Sequence, residues 1–234
     1  NPSRGYVSSA NQYPVSENYP YYLPGGYWPA HRASRINYLL ENMVNRKNIV
    51  IDDMKKIQND SYNSFADSIL TNLLKSIEEK IKDPDHVYIY KALNQWNMNH
   101  HSDMFEPIIF EQWYNNINEA VWGDLFINNK KISTFPKHLY PLYDRLAELI
   151  IDQKYWDSDW FDDKRTKDII ENFDIIAWNT FTQSIDKLKQ NRDRKKRIPY
   201  ENQIIGNSQL SFIAYPNCKK CRGSICGRCV KHGG

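Results

Sequence analysis

The chain has 234 residues, of which 41% are hydrophobic, 25% charged and 14% aromatic. That length and balance suffice to bury a core as one or two domains and exclude a largely disordered polymer. No apolar run approaches the ~18 residues that cross a bilayer, and nine glycines with eleven prolines exclude a collagen-like or low-complexity architecture. The formal net charge of +3 is unevenly spread: from Lys187 onward twelve Lys or Arg face Asp193 and Glu201, net +10, whereas the first 186 residues carry nineteen against twenty-six, net −7.

In chain order, Asn1-Pro2 opens the sequence without methionine, which predicts a removed leader or a piece of a longer polypeptide. Residues 5 to 12 read as a short extended strand ending at polar residues, followed by an aromatic and proline-rich loop through Pro29. Ile36, Leu39, Leu40, Met43 and Val44 recur at helical spacing and predict a helix over about 33–46. Asp52 is the expected cap of a short helix to about Asn59. Tyr62, Phe65, Ala66, Ile69, Leu70, Leu73, Leu74, Ile77 and Ile81 form one continuous apolar stripe, hence one long helix stopped by Pro84. Further helices are expected through Leu93 and Trp96, from about Phe105 to Phe126 with Pro107 in the first turn, and from Leu139 to Ile151. Ile169, Ile170, Phe173, Ala177, Phe181, Ile185 and Leu188 predict a last long helix. The expected organisation is a strand and loop over 1–30, a helical region over 31–190, and a basic, Cys-rich tail over 191–234. A lone strand needs a sheet to receive its backbone groups, so residues 1–30 are expected to belong with a segment outside this chain.

The four cysteines lie in the last seventeen residues as Cys218-x2-Cys221-x4-Cys226-x2-Cys229, with His232 beyond. Two CxxC pairs can offer four thiolates to one tetrahedral ion, and Cys-x4-Cys-x2-Cys also echoes one iron–sulfur spacing. Four residues between the pairs is far less than the ~15–20 of zinc ribbons, so metal, disulfide and a plain or aberrant terminus all stay open. A basic tail can serve as an arm for polyanions, but solvated basic ends are commoner, and nucleic acid is not the expected partner. His100-His101-x-Asp103 could ligate a metal, yet Ser102 or Asp103 before a helix is the simpler capping pattern. Asp162-Asp163 could be a catalytic carboxylate pair, yet adjacent side chains diverge and usually serve a turn. Glycine-rich phosphate loops, nucleophile elbows and His-Glu-x-x-His are absent from the sequence.

Asn11 ends the predicted strand, Tyr19-Pro20 follows, and Ala30-His31-Arg32-Ala33-Ser34-Arg35-Ile36 leads into Leu39-Leu40. Together with Gln58-Asn59-Asp60, Leu93 with Trp96, Trp113, and Trp160-Phe161-Asp162-Asp163 with Thr166, this order resembles the β-chain of the penicillin acylase (penicillin amidase) family over about residues 3–190. The resemblance implies a parent with the α+β, four-layer αββα fold of N-terminal nucleophile hydrolases, of which this chain would be a mainly α fragment. It implies hydrolysis of the linear amide of an N-acylated small molecule, such as a β-lactam antibiotic or an acyl homoserine lactone. The nucleophile would be an N-terminal serine whose α-amine, with a reference pKa near 7.7–8.0, serves as base.

By position, Asn11 corresponds to the family's oxyanion-binding asparagine and Arg32 to an arginine that helps position the active centre. Without the resemblance, Asn11 would merely terminate a strand and Arg32 would make a surface ion pair. Asn1 has neither hydroxyl nor thiol, and Ser3 and Ser8 fall at interior positions of the family pattern; the chain alone is therefore expected to be inactive. The chemistry requires no cofactor. A structural calcium is common in the family, and Glu17 lies near the expected loop, without a residue-by-residue correspondence that makes it a ligand. The implied partners are the missing α-chain and the remainder of the β-chain, and the implied location of the parent is periplasmic or extracellular. The competing expectation is a noncatalytic helical interaction module with a metal- or nucleic-acid-binding tail.

Overall fold

The computed structural model describes residues 2–16, 18–126 and 140–195. Its elements are helical: α1 (His31–Glu41), α2 (Ile51–Gln58), α3 (Ser64–Ile77), α4 (Pro84–Gln95), α5 (Glu106–Trp122), α6 (Tyr140–Ile151) and α7 (Phe173–Lys195), with short 3₁₀ turns between several of them. The mainly α expectation is met.

The predicted strand over 5–12 is not formed: among the described residues the one β contact is the isolated antiparallel bridge between Tyr62 and Asn99. With no described neighbouring strand, residues 6–9 stay irregular and the segment bends at either end, with positive φ at Gly5 (81°) and Asn11 (64°).

The core follows the apolar stripes. Phe65, Ala66, Ile69, Leu70, Leu73, Leu74 and Ile77 of α3 are all buried. They meet Ile109, Phe110, Trp113, Tyr114 and Ile117 of α5, Leu146, Leu149 and Ile150 of α6, and Phe173, Ala177 and Phe181 of α7 in one cluster. Most polar atoms inside it are paired, as burial requires, Trp122 Nε1 being an exception. Trp113 Nε1 donates to the Ala177 carbonyl (3.0 Å), and the Tyr114 hydroxyl donates to the Tyr143 carbonyl (2.7 Å). Between α5 and α7, Asn116 donates to Ser184 Oγ (2.7 Å) and accepts from Lys187 Nζ (2.8 Å).

Helix ends differ from the periodicity where capping decides them. The stripe from Tyr62 to Ile81 is not one helix: Asn63 caps α3 by accepting Ala66 N–H (2.9 Å), and α3 stops at Ile77 before a 3₁₀ turn over Glu78–Lys80. Pro84 opens α4, capped by Asp83, rather than ending the preceding helix. Helix α2 is set by Asp53, which accepts Val50 N–H (3.1 Å), while Asp52 sits inside the helix and pairs with Lys55. Helix α1 ends at Glu41, and residues 42–46 continue as tight turns. Ile169 and Ile170 lie outside α7, because Asn172 Oδ1 accepts Ile175 N–H (3.1 Å) and fixes the start after them. Both isoleucines are exposed.

Candidate functional site

Helix α1 presents Arg32 in its first turn, facing the loop that carries Asn11. Arg32 Nη2 donates to Asn11 Oδ1 (3.0 Å) and to the Ala10 carbonyl (3.1 Å). A guanidinium has only donors, so the Asn11 atom facing it must be the carbonyl oxygen; this fixes the amide's orientation and leaves Nδ2 as its donor end. The backbone is held as well. Trp28 N–H donates to the Asn11 carbonyl (2.8 Å), closing the loop between them, and Ala10 N–H donates to Gln12 Oε1 (2.7 Å). Asn11 adopts the left-handed region, which asparagine tolerates far better than a branched residue. Asn11 and Arg32, far apart in sequence, are thus brought into direct contact.

One turn along α1, Arg35 grips Asp60 with both arms: Nε to Oδ1 at 2.8 Å and Nη2 to Oδ2 at 2.7 Å. Its guanidinium lies over the Tyr62 ring at 4.1 Å. The pairing escaped the sequence reading, although Arg35 and Asp60 both stand among the residues that carry the family resemblance. At the head of α1, His31 meets Phe65 edge-on (5.0 Å), and burial holds its pKa below the ordinary value.

Of the other candidate residues, His100, Asp162 and Asp163 take structural roles, and neither Ser102 nor Asp103 caps α5, whose N-cap is Phe105. Asn63 Oδ1 is committed to Ala66 N–H, so its NH2 faces His100 Nε2 (3.0 Å) and that ring nitrogen must accept. The His100 lone pair is therefore occupied, while His101 and Asp103 are exposed. Asp162 pairs with Lys164, whose hydrogen bond holds its carboxyl below the usual range. Asp163 is desolvated, which pushes its pKa up, but the Arg165 guanidinium more than offsets this and the pKa is lowered. Two carboxylates held ionised make a poor general acid, so Asp162 and Asp163 organise the loop before α7.

Among the described residues no group of three or more His, Cys, Asp or Glu is arranged to hold a metal. Glu17, Cys218, Cys221, Cys226, Cys229 and the basic tail lie outside the described residues. No described helix is long and apolar enough to cross a membrane.

The geometry is thus a helical body that carries, on the loop facing α1, an asparagine amide braced by an arginine. The Penicillin amidase family model matches residues 1–205, and the chain belongs to that family, whose hydrolases act on carbon–nitrogen bonds other than peptide bonds. Comparison with curated proteins one by one returns no match.

Proposed function

We propose that this chain carries the oxyanion-binding part of a penicillin-amidase-type amidohydrolase, with Asn11 as the donor and Arg32 as its orienting support. The single observation that carries the reading is the Arg32 to Asn11 contact, which leaves Nδ2 presented as a donor. When a nucleophile adds to an amide carbonyl, charge collects on the oxygen, and a donor fixed beforehand stabilises it without reorganising. Its tether to Arg32 and its backbone bond from Trp28 give Asn11 that fixity.

Asn11 and Arg32 are exposed. A preorganised donor acts strongly only where water is excluded, so the reaction needs a further segment to cover the amide and supply the nucleophile. In this reading the nucleophile is an N-terminal serine outside these 234 residues. The substrate is the linear amide of an N-acylated small molecule, of the β-lactam or acyl homoserine lactone kind, and the assembled enzyme is exported. The α-amine of the serine takes the hydroxyl proton as Oγ adds to the amide carbon, the tetrahedral oxygen binds Asn11 Nδ2, collapse expels the amine carrying that proton, and water then cleaves the acyl group from the serine.

The test extends the reading frame upstream of Asn1 and assays the resulting polypeptide on N-acyl-4-nitroanilides of differing acyl length. Turnover is expected from the extended form and not from residues 1–234 alone. Asn11→Gly should lower kcat by about 10²–10³-fold, corresponding to ~2.7–4 kcal/mol, with little change in KM. Turnover indifferent to Asn11, or a native start codon at Asn1, would overturn the reading in favour of a noncatalytic interaction module.

A further inference from the structure

Helix α1 has little of its own to hold it. Of its eleven residues only Ala33 is buried, and its N-cap, Ala30, makes no side-chain capping bond. Among its described side-chain contacts, the His31 ring on Phe65 and the Arg35 clamp on Asp60 join it to α3 and to the turn before α3. The first is an edge-on ring contact, which constrains direction weakly. The second is a planar fork seated on a carboxylate, whose two parallel bonds fix direction as well as distance.

Asp60 is itself anchored. Its Oδ1 also accepts Tyr62 N–H (3.4 Å), next to Asn63, the buried cap of α3. Each residue of an α-helix turns it by about 100°, so Arg32 and Arg35 lie on one face and rotate together. From these contacts we propose that Arg35 and Asp60 are positioning residues for Asn11: the clamp fixes the rotation of α1, which fixes Arg32, which orients the amide. The proposal rests on the reading of Asn11 as the oxyanion donor for its functional meaning, but its geometry is tested without catalysis.

The experiment uses the full 234-residue chain labelled with 15N, the Asn11 side-chain NH2 pair being assigned by its disappearance in Asn11→Gly. In the unaltered chain the pair is expected away from the positions of freely solvated amides, with a heteronuclear NOE close to that of ordered backbone. Asp60→Asn, and more gently Arg35→Lys, should move the pair toward solvated-amide positions and lower its NOE while far-UV helicity is retained. Asp60→Glu, which keeps the carboxylate, should recover part of the shift.

Leu73→Ala, in the core of α3 and touching neither clamp residue, supplies the comparison for general destabilisation. It should lower the melting temperature at least as much and leave the pair in place. An Asn11 pair unmoved in Arg35→Lys and Asp60→Asn, or moved equally by Leu73→Ala, overturns the proposal; if Asp60→Asn does not fold, Arg35→Lys decides alone. Clamp variants that free the pair, alongside hydrolysis by the extended polypeptide that ignores Asn11→Gly, would uphold the positioning role and refute the oxyanion reading.

Discussion

The body built on α3, α5, α6 and α7 and the region from residue 2 to about 60 are held by different forces. In the body, Trp113, Tyr114, Phe161, Phe173 and Phe181 are all 0% exposed, and side chains interlock at packing density. In the first region Tyr21 is 70% exposed, Tyr22 85% and Ile51 76%, and order comes from polar contacts. Tyr6 donates to Glu41, Arg32 to Asn11, Arg35 to Asp60 and Arg46 to Asp53. Burial is strong and indifferent to direction, whereas a charge-assisted hydrogen bond is weak but directional. The candidate site sits where direction matters, and the body serves as its foundation.

The largest effect should come from breaking the body. Trp113→Ala removes a buried indole that contacts Phe181 (5.0 Å) and donates to the Ala177 carbonyl, and should cost about 3–5 kcal/mol in chemical denaturation. Next, Asn116→Ala removes the donor that Ser184 Oγ accepts and the acceptor of the Lys187 ammonium between α5 and α7, for about 1–3 kcal/mol by the same measurement, while the Ser184 hydroxyl keeps its bond to the Thr180 carbonyl.

A smaller effect follows acid. Burial lowers the pKa of His31 and His100 in the folded chain. Near neutral pH both rings are uncharged in either state, and their contribution is fully present. As pH falls below the unfolded value of about 6.5, the unfolded chain takes up protons that the folded chain resists, and stability declines until the lowered folded pKa is passed. Melting temperature should therefore fall on going from pH 7 toward about 5, and His100→Gln should flatten part of that slope. A slope of opposite sign would show Glu111, 4.0 Å from His100 Nδ1, outweighing burial. The smallest effect should come from Tyr22→Ala in the polar-held region, within about 0.5 kcal/mol of the unaltered chain.

The helices of the body were legible because α3 and α5 carry unbroken apolar stripes, and period is the signal that burial writes into sequence. Their ends were less legible. Ile169 and Ile170 continue the period of α7, but Asn172 starts the helix after them, since a cap that satisfies backbone N–H groups outweighs two exposed apolar side chains. Gly-Tyr-Val over 5–7 has strand character, yet strand propensity is a preference for a pleated neighbour, and no described segment provides one.

Of the site, Asn11 and Arg32 came into view through family resemblance rather than through composition or spacing. Their contact, and the clamp between Arg35 and Asp60, join residues 21 and 25 positions apart. No local pattern encodes such a pairing; it exists only after α1 has docked.

In the reading proposed for Asn11, its orientation sets stability against activity. Aspartate has the same shape, tolerates the same left-handed backbone, and would offer Arg32 a charged acceptor in place of a neutral one. Asn11→Asp should therefore tighten the loop while removing the N–H that the amide presents. Selection for thermal tolerance alone would favour the acid, and retention of the amide would mark selection for turnover.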